Sequence, residues 1–391
     1  MALRKNFRMI AKTLPGLEDL LASELNDIGA QNIQKLIRGV EFSGDQSVMY
    51  AANYICRTAI RILKPIAVFR VHNEMELYEQ VKQIAWPSFF KPNQTFMVDA
   101  GVHNASIRHS RFAALKTKDA IADRFREQLG KRPSVDIEKP DMVINMHLNK
   151  SDCTISLDSS SPILYKRGYR TDTGPAPLNE VLAAGMILLS GWDKKSPFVD
   201  PMCGSGTLPI EAAMIAHGIP AGFYRKKFGF MKWNDYDAEL WQKIRKEAGK
   251  MPSKKLCEIT GSDISKEAVQ IARRNLLNTG FESWIKLRNE SIGKFNPPSG
   301  GGVMICNPPY GERLHENNLV HLYREIGDAL KKKYIGYKAW IISSDMTALK
   351  NIGLKPSGKI ILYNGQLECR FVRFEIYEGS RKGKYQFKVQ R

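Results

Sequence analysis

The run Asn307-Pro308-Pro309-Tyr310 carries the most definite chemistry in this sequence. It follows Val303 to Cys306, an apolar stretch that reads as a strand. The two prolines remove backbone N–H donors and fix the chain direction. The Asn307 side-chain oxygen and the Pro308 carbonyl then stand side by side as acceptors. An exocyclic NH2 has two hydrogens to give them. Holding both aims the nitrogen lone pair at an electrophile, which is catalysis by positioning. Tyr310 is available to stack on a planar ring, as enzymes that act on extruded bases require. The same four residues would also make a rigid turn with an aromatic plug.

Two further motifs precede it. In FVDPMCGSGT (198–207) an apolar strand ends in Asp200, a glycine-rich turn with Gly204 and Gly206 follows, and a helix opens near Thr207. Glycines permit close backbone approach, and N–H groups at the helix start face a ligand. A phosphate-binding loop needs Lys after its last Gly, and Thr207 stands there instead. A nucleotide without a phosphate contact fits better, with Asp200 near its cationic or amino end. A plain strand–turn–helix connection is the competing reading. In ITGSDISKEAV (259–269) a strand ends in Asp263, placed to accept two ribose hydroxyls. Asp263 or Ser265 would serve equally as a helix N-cap. Asp200 and Asp263 are 63 residues apart, where a plain fold needs about 20, so 218–257 reads as an insertion.

The elements that must carry these motifs alternate from about residue 181 onward. Helix (Val181–Ser190), strand (Phe198–Asp200), helix (Thr207–His217), strand (Ile259–Asp263), helix (Lys266–Thr279), strand (Val303–Cys306), helix (Leu319–Lys333) and strand (Ala339–Ser343) predict an α/β, doubly wound parallel sheet. Lys359–Tyr363 and Arg370–Glu378 flank Asn364-Gly365, a strong hairpin signal, and predict an antiparallel edge. GYRTDTGPAPLNE (168–180) is the linker candidate. Before it the pattern is α+β. Asn6–Thr13 and VEFSG read as strands, with a helix over PGLEDLLASELNDIG between them. Gln46–Leu63 and Glu74–Ile84 read as helices, and Thr95–Gly101 as a strand. Ser110–Leu129 is a helix with Phe112, Leu115, Ala122, Phe125 and Leu129 as its apolar side. Asp141–Asn149 and Cys153–Asp158 are two antiparallel strands.

Composition narrows the classes. With 391 residues, 59 Lys+Arg against 40 Asp+Glu and 43% hydrophobic residues, the chain is long enough for two or three ordinary globular domains. The longest apolar run, Val181–Leu189, is less than half a bilayer span, and no secretory leader is recognisable at the N-terminus. Six scattered cysteines, with no C-x-x-C or H-E-x-x-H, point to reduced thiols in a cytoplasmic protein and to no metal. The net charge of +19 calls for a polyanionic partner. It is uneven: 22 basic and 18 acidic residues up to Ser160, 37 and 22 thereafter.

DPMCGSGT, the acid at Asp263 and NPPY together resemble the class I S-adenosylmethionine-dependent methyltransferases that act on amino groups. PLNEVLAA, FGFMKW (228–233) and NGQLECRF (364–371) extend the resemblance over essentially the whole chain. They resemble the THUMP-domain RNA methyltransferases, close to the bacterial 23S ribosomal RNA guanine-N2 methyltransferases. PGLEDLLASEL and SRFAALKTKDAIADRF are similar to that family's ferredoxin-like and THUMP modules. The resemblance implies a ferredoxin-like module over 1–65, an RNA-binding THUMP domain over 66–165 and a Rossmann-like methyltransferase domain over 166–391. It implies S-adenosylmethionine as cofactor and ribosomal RNA, or a ribosomal precursor, as substrate. Asp200, Cys203, Gly204 and Gly206 would line the methionine side and Asp263 would bind the ribose. Asn179 and Glu180 would sit near the cofactor entrance. Asn307, Pro308, Pro309 and Tyr310 would hold the target base. The family often has an Asp after the third strand touching the adenine amino group, and here Ser291 stands there. Cys306 also replaces the Asp that commonly precedes NPPY. NPPY fits any exocyclic amine, so transfer-RNA guanine and DNA adenine-N6 remain alternatives, as does a non-catalytic RNA-binding protein.

RNA contacts are expected where charge clusters. Gly101–Arg132 holds eight basic and three acidic residues, and Arg108, Arg111, Lys116, Lys118 and Arg126 are placed to track phosphates. Arg225, Lys226 and Lys227 interleave with Phe228, Phe230 and Trp233, a pattern that grips backbone and stacks on unpaired bases. A solvated helix face and a core plug with basic ends are the respective alternatives. Arg381, Lys382, Lys384, Lys388 and Arg391 form a basic tail.

Overall fold

The computed structural model describes residues 5–172, 177–249, 257–310 and 316–378; the basic tail after 378 and part of the linker candidate, 173–176, lie outside them. The chain forms two units. The first comprises residues 1–13, 21–166 and 225–248, the second 14–20, 167–224 and 249–391.

The first unit is built on an eight-stranded sheet. Its elements are β1 (Phe7–Lys12), α1 (Glu18–Asp27), β2 (Gln31–Leu36), β3 (Gly39–Gly44), α2 (Gln46–Ile55) and β4 (Arg61–Arg70). After these come α3 (Glu74–Gln83), β5 (Thr95–His103), α4 (Ser110–Leu129), β6 (Ser134–Val135), β7 (Met142–Asn149) and β8 (Asp152–Asp158). The strand order is β2-β3-β1-β4-β8-β7-β5-β6. Its first six elements follow the β-α-β-β-α-β order of a ferredoxin-like module. β4 pairs antiparallel with β1 on one side and β8 on the other, which joins both halves into one sheet.

β4 corrects the expectation of a helix from Gln46 to Leu63. Asp45 caps the start of α2 by accepting the Ser47 and Val48 N–H groups. The helix ends at Ile55 because Glu24, from a distant part of the chain, accepts the Arg57 and Thr58 N–H groups at 2.9 and 3.0 Å. That stop is tertiary, so no local turn residue announces it. A second correction concerns α4. Phe112, Leu115 and Leu129 are exposed, whereas Ala113, Thr117, Ala120, Ile121 and Phe125 are buried. The buried face follows the 3.6-residue period through small residues, which let the helix lie close to its neighbours.

The second unit contains α5 (Glu180–Leu189), β9 (Phe198–Asp200), α6 (Thr207–Ala216), β10 (Ile259–Ser262), α8 (Lys266–Leu277), β11 (Ile285–Arg288) and β12 (Gly302–Cys306). It is completed by α9 (Glu316–Lys333), β13 (Tyr337–Ser343), α10 (Met346–Lys350), β14 (Gly358–Asn364) and β15 (Leu367–Glu375). Its sheet runs β11-β10-β9-β12-β13-β15-β14. Strands β9 to β13 are parallel, and β14–β15 form the antiparallel edge hairpin. The strand order reverses between β9 and β12, the point where ligands bind in doubly wound sheets. The fold is Rossmann-like, as expected. Among the described residues no helix is long and apolar enough to cross a membrane.

Residues 225–248, read from the sequence as part of an insertion in this second domain, belong to the first unit and include α7 (Ala238–Ala248). Phe228, Phe230, Trp233 and Trp241 are buried in its core, and Phe230 stacks on Tyr50 at 4.2 Å between centroids. Gly229 is obligatory there: a Cβ would lie 2.4 Å from the Asp158 carbonyl oxygen. These aromatic rings are therefore not a surface for bases. Arg225 is also buried and is removed from the RNA-contact set. Its guanidinium donates to the carbonyls of Ser160, Pro162, Ile163 and Lys166 at 2.6–3.0 Å. Lys226 and Lys227 are exposed. Arg225→Ala strands those carbonyls and is expected to destabilise the first unit by roughly 3 kcal/mol. Urea unfolding, followed by hydrogen exchange of β7 and β8 amides, measures it; Lys226→Ala and Lys227→Ala leave the curve unchanged.

Candidate active site

Asp200 ends β9, and the turn that follows must fold back over β10. Gly261 makes room for it, since a Cβ there would meet Cys203 at 3.1 Å. The Cys203 N–H donates to the Ser262 carbonyl at 2.9 Å, pinning the turn to the tip of β10. Gly204 (φ +51°) and Gly206 (φ +84°) both occupy left-handed backbone. The Gly204 N–H donates to Asp263 Oδ2 at 2.9 Å, and the Ser265 N–H donates to Oδ1 at 2.9 Å. Each oxygen of Asp263 so keeps further acceptor capacity. Ser265, not Asp263, caps α8, by accepting the Ala268 N–H.

A cavity of about 780 Å³ opens over these strand ends, within the range of small-molecule sites. It brings together Asp200, Cys203, Gly204, Asp263, Ser291, Asn307 and Pro309 from separate motifs. Three of the expected cofactor residues do not line it. Gly206 is the N-cap of α6, and a Cβ there would press on Ala272 of α8 at 3.1 Å, so its task is helix packing. Asn179 caps α5 through the Val181 and Leu182 N–H groups. Glu180 is buried behind the cavity, 3.5 Å from the Arg170 guanidinium. Burial pushes its carboxyl up to about 7 against the pull of Arg170.

Arg170 itself gave no signal in the sequence. Its Nη2 donates to the Leu178 carbonyl at 2.9 Å and to Thr207 Oγ1 at 2.6 Å. Leu178 and Thr207 both line the cavity, so Arg170 ties one wall to the start of α6. Behind it, Tyr169 donates to the buried carboxylate of Glu211 at 3.0 Å, and Arg167 lies 3.4 Å from the same oxygen. The sequence reading gave α9 as a helix but did not foresee that it lines the cavity. Asn318, His321, Leu322 and Glu325 recur at helical spacing and form another wall.

The electrostatics favour a cationic guest. Asp200 is 1% exposed, and burial, with Asp263 adding repulsion, holds its carboxyl well above the usual carboxylate range. The thiols of Cys203 and Cys306 are pushed up by burial and by Asp200, so both stay neutral and neither is an activated nucleophile. At the end of the neighbouring strand β12, Asn307 Oδ1 is buried and accepts no hydrogen bond from another described residue. An amide oxygen in that state costs about 1–3 kcal/mol until a donor arrives. Tyr310 departs from the expectation of a stacking surface. Its ring is buried, and its hydroxyl accepts from the Asn364 side chain at 2.7 Å, which anchors it beneath the edge hairpin. Pro308 is buried as well.

In the first unit Arg108, Arg111 and Arg126 are exposed on or beside α4, and Lys116 lies 5.8 Å from the Phe112 ring centroid. Lys118 is paired with Asp119 and Arg126 with Asp123, each at 2.6 Å. That pairing leaves Arg108, Arg111 and Lys116 as the less neutralised charges of the cluster.

Comparison with known proteins gives three domain matches: an RMKL-like methyltransferase domain over 167–373, a THUMP domain over 71–158 and an RlmL ferredoxin-like domain over 8–63. The chain is similar to slr0064 of Synechocystis sp., assigned as an RNA methyltransferase: 36% identical, covering 96% of this chain and 97% of that one. It is 38% identical to the ribosomal RNA large subunit methyltransferase K/L of Methylococcus capsulatus, over 92% of this chain and 50% of that one. The chain thus spans about half the length of the K/L relatives it matches. Among solved structures it is similar to SMU.472, assigned as a methyltransferase and crystallised with S-adenosylhomocysteine. The TM-score is 0.86 at 30% identity, covering 97% and 100% of the two chains.

The cavity fits a cationic nucleoside: two acids, a glycine turn and an orphaned acceptor converge on it. A cation beside Asp200 favours its ionised form, so binding is expected to release protons and affinity to rise with pH until Asp200 is ionised. Calorimetry in two buffers of different ionisation enthalpy reads the release, and Asp200→Asn removes it.

Proposed function

The chain belongs to the family of RMKL-like methyltransferases with THUMP and ferredoxin-like domains, its cofactor is S-adenosylmethionine, and from that premise we propose that it methylates guanine N2 in large-subunit ribosomal RNA. The observation that carries the amine chemistry is the buried, undonated Oδ1 of Asn307 at the end of β12, on the wall of the cofactor cavity. No other described residue donates to it. The RNA class is supported by the K/L relatives, which are named as ribosomal RNA large subunit methyltransferases; guanine N2 is the finer reading, carried by the resemblance of the NPPY-type motifs.

When bound, the cofactor supplies a methyl group already activated as a sulfonium, so the N–C bond forms as the S–C bond breaks. Asn307 Oδ1 and the Pro308 carbonyl take the two amino hydrogens. That hold rotates the nitrogen lone pair out of conjugation and stabilises the positive charge that develops on it. Pro308 and Pro309 keep the pair rigid. The proton leaves to water after transfer. Asp200 and Asp263 position the cofactor, and Gly204 lets the backbone approach it. Arg108 just before α4, Arg111 and the half-buried Lys116 on it, with Phe112 and Leu115 beside them, hold RNA phosphates and unpaired bases.

Transfer of labelled methyl to purified large-subunit ribosomal RNA, transfer RNA and DNA tests the reading, with nucleoside digestion identifying the product. Label in N2-methylguanine of ribosomal RNA is expected; label confined to DNA overturns it. Asn307→Ala is expected to lower kcat by about 10²–10³-fold while cofactor affinity stays near wild type. Arg111→Glu with Lys116→Glu is expected to weaken RNA binding and flatten its salt dependence, read by titration at several salt concentrations.

A further inference from the structure

We propose that Glu325 of α9 accepts the exocyclic amino group of the cofactor's adenine and makes the cavity selective for it; this rests on the reading that the cavity takes an adenosine cofactor. An adenine base buries an NH2 donor, and a site that offers it no acceptor loses the hydrogen bond and pays for desolvating the donor. The segment after β11 supplies little. Asn289 is committed elsewhere, its Nδ2 donating to the carbonyls of Asp263 and Ile264, both at 2.9 Å. Glu290 does not line the cavity; Ser291 does, with a short hydroxyl.

Glu325 arrives from the other side. It is the last of Asn318, His321, Leu322 and Glu325, the face of α9 that lines the cavity with Ser291 and Ile292. Its carboxylate lies flat against Gly293: a Cβ on that glycine would stand 2.5 Å from Glu325 Oε1. Any larger residue at 293 would displace the carboxylate. The Glu325 side chain is exposed at the cavity rim, and α9 grips the same turn further along. Lys333 Nζ donates to the Gly293 carbonyl at 2.6 Å, and the Lys294 and Phe295 N–H groups close the turn on the Ser291 carbonyl at 3.0 and 2.9 Å. No hydrogen bond or ion pair to another described residue engages the Glu325 carboxylate. Ile264 and Ile292 supply the apolar wall for the ring, and Glu325 with Ser291 the polar edge beyond it. The acceptor missing from the strand end is thus replaced from a helix 34 residues later in the chain.

A carboxylate at that edge accepts from a 6-amino group and repels a 6-oxo group. Calorimetric titration of the full chain with S-adenosylhomocysteine and S-inosylhomocysteine reads the discrimination directly, without turnover. The wild type is expected to prefer the adenosine compound by about 10–100-fold, the range of one hydrogen bond to a charged group. Glu325→Gln keeps the shape but adds a donor, so it is expected to lose most of that preference and to gain affinity for the inosine compound. Glu325→Ala is expected to weaken binding of the adenosine compound alone. Since each protein serves as its own reference, a partly misfolded variant still reports the ratio. Variants that keep the wild-type ratio overturn the proposal. A wild type that binds neither compound overturns the cofactor reading itself.

Discussion

The carboxylate of Asp263 ties together the tips of two neighbouring strands. One oxygen takes the Gly204 N–H from the turn after β9, the other the Ser265 N–H at the start of α8. Bonds from N–H groups to a charged acceptor are each worth about 1.5–3 kcal/mol. Their larger effect is geometric. The turn 201–206 has to leave β9, cross the end of β10 and enter α6 within six residues. It holds that path only because Asp263 and the Ser262 carbonyl receive its N–H groups. The left-handed glycines are the residues that can adopt the path at low strain. With the turn fixed, the mouth of the cavity is fixed, and Asp200 is sealed beneath it.

That sealing leaves two groups unmatched by the described residues. Asp200 is buried near Asp263, and its proton is held well above the usual range. At the end of the neighbouring strand, Asn307 Oδ1 is buried and accepts from no other described residue. Such unmet groups would count against a purely structural site, since interiors pair their polar atoms. Here the two deficits are opposite in kind. One wants a cation and the other an N–H donor, and a sulfonium cofactor and an aromatic amine supply them in turn. Among the described residues, buried atoms without a partner also occur away from the cavity, on Glu211, His217, Tyr334 and Trp340, so what marks Asn307 Oδ1 is its place on the cavity lining.

The parallel strands and the three motifs were legible because each is local: an apolar run, a glycine turn, a pair of prolines. Their convergence followed from the alternation of strands and helices, since strand ends in a doubly wound sheet meet at the reversal of strand order. What the sequence hid was set by distant partners. Glu24 ends α2 at Ile55, whereas the sequence reading carried the helix on to Leu63, into the start of β4. Phe228, Phe230 and Trp233 looked like a basic-aromatic surface because their burial depends on Tyr50 and Trp241. Arg225 looked like an RNA contact because its acceptors are carbonyls of residues 160–166. Phe112 and Leu115 looked like core because apolar spacing does not distinguish which face of α4 is covered by neighbours. α9 was read as a helix, but three of its four positions that line the cavity, Asn318, His321 and Glu325, are polar, so apolar periodicity did not point to that face.

The neutrality of residue 307 follows from the same electrostatics. The field of Asp200 already reaches Cys306, the residue before it, and adds to the burial that raises that thiol. A carboxylate at 307 would stand in this field and lose solvation too. Both effects would push its proton affinity up, as they do for Asp200, and a protonated acid presents one donor and a weakened acceptor. An amide keeps its acceptor at every pH, whatever the state of Asp200. It also leaves no fixed anion to hold the product amine after transfer. In the proposed reaction, Asn307 would thus give an acceptor strong enough to orient an amine and neutral enough to release it, beside the acid at Asp200.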